Sequence, residues 1–222
     1  MQTKKAVILL SGGLDSTTTL YWAKNKGYKC HCLIFDYQQR HRKEVQCARK
    51  IAVITGCEYQ IIKFQLPWLG SSLLDKRIPI PTNSKFEIRN PKSEIPSTYV
   101  PARNTIFLAF ALSYAEAIGV KTIFIGANAL DYSGYPDCRP EYYSTFNNLA
   151  QLATKTGVEG SKIKILTPLI DKSKAEIVQL GIKLNVPFEL TWSCYKGGKK
   201  PCGKCDSCVL RSKGFKEAGI KE

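Results

Sequence analysis

Ala6 to Leu10 is an unbroken aliphatic run that stops at Ser11-Gly12-Gly13-Leu14-Asp15-Ser16, and a helical pattern follows from Ser16 to Lys26, closed by Gly27. This strand, tight turn and helix constrain the chain more than any other feature. The two glycines permit positive φ and let the backbone approach a ligand closely, with Leu10 at the base of the turn. The N–H groups and positive dipole at the helix start suit an anion. Hydroxyls on Ser11, Ser16 and Thr17 add donors. The segment is neither Gly-x-x-x-x-Gly-Lys-Ser/Thr nor Gly-x-Gly-x-x-Gly, so the Walker loop and the dinucleotide fingerprint are both excluded.

The pattern then repeats. Cys30 to Phe35 reads as a second buried strand, Arg40 to Ile54 as a helix and Tyr59 to Phe64 as a third strand. Asn104 to Ile118 reads as a helix, with its apolar stretch Ile106 to Ala111 buried. Thr122 to Ile125 and Ile163 to Leu166 read as the fourth and fifth strands, separated by a polar loop (Ala127 to Pro140) and a helix (Glu141 to Thr156). Ser173 caps a further helix that runs to about Leu184. Strands alternating with helices imply an α/β fold, doubly wound, with a five-stranded, mostly parallel sheet covered on both faces. The 222 residues, 44% hydrophobic and 23% charged, suffice for one domain with an ordinary core. Six prolines between Pro67 and Pro101 interrupt the pattern, as expected of a lid-like insertion over 67–101. Asp36 closes the second strand, on the side where open α/β sheets meet ligands.

After Pro187 the composition changes: Cys194 to Glu222 holds four cysteines, eight Lys/Arg and three acids. The spacing of Cys194, Cys202, Cys205 and Cys208 lets four thiolates close a tetrahedral shell. That is the pattern of a structural zinc site, one ion per chain, whose binding energy becomes folding energy for a small tail. An iron–sulfur cluster is the sharper rival. The domain reading is therefore 1–190 for a nucleotide-binding α/β unit and 191–222 for a zinc-binding tail. No apolar run reaches the roughly 18 to 20 residues of a membrane span, and the first residues lack the features of a secretory leader. The expected compartment is the cytoplasm, where an odd cysteine count also argues against a disulfide framework. The net charge of +15 fits nucleic acid or anionic small molecules alike.

The Ser11 to Ser16 hexapeptide resembles the PP-loop of the ATP pyrophosphatases. That resemblance implies a fold of the adenine-nucleotide alpha-hydrolase type, ATP and Mg²⁺ as ligands, and attack of an oxygen on the α-phosphorus with loss of pyrophosphate. Lys174 matches a distal superfamily lysine that reaches the phosphates, and Asp15 would orient donors or the outer shell of Mg²⁺. Further segments extend the resemblance over nearly the whole chain: Phe35 to His41, Val100-Pro101-Ala102-Arg103-Asn104-Thr105, Asn128 to Pro140, and the cysteine tail. Together they resemble the 7-cyano-7-deazaguanine synthase family, ATP-dependent carbon–nitrogen ligases that turn 7-carboxy-7-deazaguanine and ammonia into a nitrile for queuosine and archaeosine precursors. Asp15, Ser16, Lys174 and Arg103 are then the candidate catalytic residues. Arg103 and Asn104 would hold nucleotide or carboxylate, and Asp131, Tyr132, Tyr135, Asp137 and Arg139 the deazaguanine ring. His41 falls in a family motif as a candidate ligand contact. The resemblance and the apolar helix also suggest a homodimer. A PP-loop tRNA thiolase or lysidine-type ligase stays open as an alternative, as does a zinc-knuckle nucleic-acid binder. The first would need a further RNA-binding domain or a catalytic cysteine pair, and the second leaves the phosphate loop unexplained. ATP, pyrophosphate and a carboxylate are all anions, so the charge does not require RNA.

Overall fold

The computed structural model describes residues 4–82, 95–129 and 134–222. Five strands form one sheet in the order β3-β2-β1-β4-β5. They are β1 (Lys5–Leu9), β2 (Lys29–Asp36), β3 (Glu58–Lys63), β4 (Thr122–Ile125) and β5 (Lys164–Leu166), and every pairing is parallel. β1 and β2 read as continuous apolar runs because both of their faces are covered. Val7 and Leu9 share one core with α3 (Arg103–Ala117) and α4 (Pro140–Ala153). Ala6 and Ile8 point the other way, into a core built with α1 (Leu14–Asn25) and α2 (Lys43–Ile54).

The outer strand β5 is closed by a side chain. Asn147 of α4 donates from Nδ2 to the Ile165 carbonyl at 3.1 Å and accepts the Ile165 N–H on Oδ1 at 2.8 Å. These bonds occupy the backbone that an edge strand would otherwise offer to another chain.

Three elements differ from the sequence reading. The helix expected over 141–156 breaks at Thr154, whose backbone is extended and whose Oγ1 caps a separate turn, α5 (Lys155–Val158), by accepting the Gly157 N–H at 3.0 Å. The expected burial of Ile106 to Ala111 holds on one face only: Leu108 and Ala111 are buried, and Phe110 is 40% exposed. In the cysteine-rich tail, α7 (Asp206–Glu217) follows the last thiol and packs on α6 (Lys174–Lys183), with Phe215 against Ile177 and Phe188. Its lysines obscured the helical period. Ser173 caps α6 as expected, in a reciprocal box with Glu176.

Within 67–101 the described residues form turns, with no strand or helix among them. Arg40 fastens this segment, donating to the carbonyls of Ser72 at 2.7 Å and Ile78 at 3.1 Å. Thr82 bridges to Cys205. No helix among the described residues is long and apolar enough to cross a membrane.

Candidate active site and thiolate cluster

In the strand order above, the chain leaves β1 toward β2 while β4 lies on the opposite side of β1. The crevice at the carboxyl ends of β1 and β4 is the switch point at which such sheets take ligands. A cleft of about 230 Å³ lies there, bounded by Ser11 and Gly13 after β1, Gly126 and Ala127 after β4, and Lys174. Tail residues Trp192, Ser193 and Tyr195 complete its wall.

The turn after β1 is shaped by absent side chains. Gly12 has φ +81°, and a Cβ there would lie 2.5 Å from the Ala48 nitrogen and from the Glu44 carbonyl, so only glycine lets α2 pack this closely. At Gly126 a Cβ would sit 2.9 Å from the Asp15 carbonyl, and its absence lets β4 meet the start of α1. Ser11 Oγ and Ser16 Oγ lie 2.9 Å apart, and Thr17 Oγ1 donates to the Gly13 carbonyl at 2.8 Å. Thr17 is therefore turned inward, whereas Leu10, Ser11, Gly13, Leu14, Asp15 and Ser16 line the cleft. Among the described residues no side chain caps α1. Its first-turn amides have no intrahelical acceptors and are available to an anion.

Lys174 is 8% exposed and donates to both oxygens of Asp15 at 2.9 Å. A glycine makes room for it: a Cβ on Gly214 of α7 would stand 2.3 Å from Lys174 Cγ. The tail helix thus clamps the lysine from behind. Across the cleft, Arg103 opens α3 after Ala102, whose φ of +50° turns the chain into the helix. Its Nη1 reaches Tyr37 Oη at 3.5 Å, and its buried Nε has no hydrogen-bond partner among the described residues.

Asn104 also borders the cleft, but its donors are committed. Its backbone N–H reaches Asp137 Oδ2 at 3.0 Å and its Nδ2 reaches the Asp137 carbonyl at 3.0 Å. Asp137 thereby caps α3 from another loop. Burial raises its carboxyl above the usual carboxylate range, against the pull of the Asn104 N–H and Arg103.

Tyr135 reaches the cleft wall and shares a 2.6 Å hydrogen bond with Thr98. Asp137, Asp36 and Arg139 do not line the cleft. Asp36 is buried at the end of β2, 3.5 Å from Arg42, and Arg139 is exposed. Asp131 and Tyr132 lie outside the described residues. His41 is set behind the wall against Trp192 and Gly197, where a Cβ on the glycine would come within 2.4 Å of its ring. The sequence reading passed over Tyr37, Glu44 and Trp192. Tyr37 lies inside a quoted motif and Glu44 three residues beyond it. Trp192 joins the two halves, donating its backbone N–H to the Gly12 carbonyl at 2.9 Å and its indole N–H to the Cys194 carbonyl at 2.8 Å.

Two residues past Trp192 the thiolate cluster begins. The sulfurs of Cys194, Cys202, Cys205 and Cys208 all lie within 4.8 Å of one another. Cys202 and Cys208 are 4.0 Å apart. A tetrahedral ion with metal–sulfur bonds of about 2.3 Å keeps its sulfurs roughly 3.8 Å apart, so the set fits one metal ion. Backbone amides support the charge such sulfurs carry. Lys196 and Cys202 donate to Cys194 Sγ at 3.4 and 3.3 Å, and Lys204 and Cys205 to Cys202 Sγ at 3.4 and 3.3 Å. Burial pushes the Cys202 thiol up, but these amides outweigh it and bring the thiol down to about 7.

The family model described as queuosine biosynthesis protein QueC matches residues 5–219. The chain belongs to the QueC family. A relative from Trichodesmium erythraeum, named 7-cyano-7-deazaguanine synthase, is 54% identical over 98% of each chain. One of the same name from Thermoplasma volcanium is 53% identical over 99% of this chain and 89% of its own. Among solved structures, NMN synthetase from Francisella tularensis aligns with a TM-score of 0.51 at 16% identity, covering 99% of this chain and 79% of that one, which speaks for the fold alone. QueC membership carries with it the ATP use of the PP-loop superfamily.

Proposed function

We propose that this chain converts 7-carboxy-7-deazaguanine, ammonia and ATP into 7-cyano-7-deazaguanine. The observation that carries the reading is the cleft itself, which is lined by an uncapped helix N-terminus and by the half-buried Arg103, whose guanidinium has no carboxylate within ion-pair distance among the described residues. The first binds pyrophosphate, with Ser11 and Ser16 beside it and Lys174, held by Asp15, drawn to the phosphates when nucleotide arrives. The second suits the substrate carboxylate, which a guanidinium grips by forked hydrogen bonds. The carboxylate oxygen attacks the α-phosphorus, ammonia displaces AMP to give the amide, and the amide oxygen is activated the same way before dehydration. One site serves both activations because attack and leaving group are the same, and positioning and electrostatics supply most of the rate. Tyr135, with Asp131 and Tyr132 from the same loop, is assigned to the ring, while Asp137 supports it from behind by holding the start of α3. Asp15 is assigned to the outer shell of Mg²⁺.

Zinc is the metal we assign to the four thiolates, one per chain. Four sulfurs around one centre leave no water position, so its role is structural, and the tail 191–222 braces Lys174 through α7. A cubane iron–sulfur cluster would bind each thiolate to a different iron and hold the sulfurs further apart. The tRNA-thiolase alternative needs a catalytic cysteine pair. Cys138 is the single thiol among the described lining residues, and burial pushes it up to about 12. We further assign a cytoplasmic location and a homodimer, the latter from Phe110, which stands out from α3. Incubation with ATP, Mg²⁺, ammonia and the carboxylate, followed by mass spectrometry of the ring product, tests the activity. Amide followed by nitrile is expected. Their absence together with ATP-dependent modification of tRNA would overturn it.

A further inference from the structure

Carboxylates are scarce in the cleft. Among the described residues that line it only Asp15 and Glu44 carry one, and both oxygens of Asp15 face the Lys174 ammonium. Glu44 stands in the first turn of α2, which Gly12 allows to lie directly against the phosphate loop. Its side chain makes no hydrogen bond and no ion pair with the described residues. A half-buried carboxylate without a partner is costly as structure, and it is poised for a ligand.

The other proton acceptors are poorly suited. Burial holds the Tyr37 and Tyr135 phenols above their ordinary range and pushes the Cys138 thiol up to about 12. Neither histidine lines the cleft. The titratable groups facing Glu44 come from three elements: Arg103 on α3, Tyr37 just past β2, and Cys47 on α2 itself. Burial moves the Glu44 carboxyl up to about 7, with Arg103 pulling the other way, which is where a general base works best near neutral pH.

We infer that Glu44 is the catalytic residue that accepts the proton lost by nitrogen in each half of the reaction; this rests on the function proposed above. In the first half, ammonia forms a C–N bond to the adenylated carboxyl carbon and the C–O bond to AMP breaks. The N–H proton passes to Glu44, leaving a neutral amide. In the second half, attack of the amide oxygen on the α-phosphorus expels pyrophosphate, which takes up the first N–H proton and leaves an imidate bonded through oxygen to AMP. Its remaining N–H proton goes to Glu44, the freed electron pair completes the C≡N triple bond, and AMP leaves with the C–O pair. Each half therefore yields AMP and one protonated Glu44, which returns its proton to water. No oxidant or reductant is required.

The test compares wild type with Glu44→Gln and Glu44→Asp by two readouts. ATP–pyrophosphate exchange with the carboxylate and no ammonia reports adenylation alone, and quenched turnover with ammonia reports amide and nitrile. For E44Q, exchange should stay within about threefold, while amide and nitrile formation fall by about 10²- to 10³-fold. E44D should recover part of that loss. Hydroxylamine, neutral at pH 7 and more nucleophilic than ammonia, should restore acyl capture in E44Q as the hydroxamate. Wild-type nitrile formation should drop as pH falls through about 7, a limb missing from E44Q. Nitrile formation by E44Q at the wild-type rate would overturn the assignment. So would exchange lost as severely as turnover, which would make Glu44 a binding or structural group. Absence of exchange and nitrile in the wild type would overturn the proposed function itself.

Discussion

The phosphate loop and the thiolate cluster are joined at Trp192, but they reach completion in opposite ways. The loop finishes itself. Its hydroxyls bond to one another and to the Gly13 carbonyl, and the buried ammonium of Lys174 beside it has its counter-charge in Asp15. The cluster holds four sulfurs within 4.8 Å of one another, with backbone amides donating to Cys194 and Cys202 and no covalent bond between any two of the four. Four thiols so placed repel one another once ionised, and only a cation can neutralise them. A site for a transient ligand is preorganised by the chain, whereas a site for a permanent one is left for the ligand to finish. Gly214 links them, since the helix that follows the last thiol is the one that clamps Lys174.

This contrast can be broken at four points. Cys205→Ser should have the largest effect, removing most of the roughly 10 kcal/mol that a structural zinc supplies and lowering soluble yield and metal content together. A variant that keeps one zinc per chain and the wild-type melting temperature would refute the structural-metal half of the comparison. Next come the charges. Lys174→Met alone leaves a carboxylate facing a vacated, largely buried position and should cost about 3–5 kcal/mol in chemical denaturation. Pairing it with Asp15→Asn should restore much of the stability and none of the turnover; full activity in the double variant would remove this pair from the mechanism.

Gly12→Ala should cost about 2–4 kcal/mol, from strain at φ +81° and from the clash with α2, with turnover lost in the protein that remains folded. Smallest is Asn147→Ala, which opens two bonds at the β5 edge and should cost about 1–2 kcal/mol while kcat is unchanged. A fall in kcat there would mean that the far edge of the sheet communicates with the cleft.

Much of this was legible because it is local. Glycines after an aliphatic run, a serine followed three residues later by glutamate, and cysteines two residues apart each encode their geometry within a few positions. Ser173 and Glu176 form the box their spacing predicts. What escaped was set by packing between distant segments. Nothing near Gly214 signals that Lys174 passes beside it, 40 residues earlier in the chain. Glu44 reads as a surface residue of a basic amphipathic helix until Gly12 draws α2 onto the phosphate loop. Asn104 illustrates the reverse: its motif marks it as a ligand contact, while its donors are engaged by Asp137. Arg139 likewise lies in a marked segment, yet it is exposed at the N-cap of α4 and off the cleft wall.

The central claim is that one cleft activates two oxygens of the same carboxyl group by the same attack on ATP. Substrate carrying ¹⁸O at both carboxylate oxygens tests it most directly, with AMP, pyrophosphate and water examined by mass spectrometry. The account predicts two AMP per nitrile, each carrying one ¹⁸O, and unlabelled pyrophosphate. Label in pyrophosphate, formation of ADP, or a single AMP per nitrile with the second oxygen released to water would contradict it.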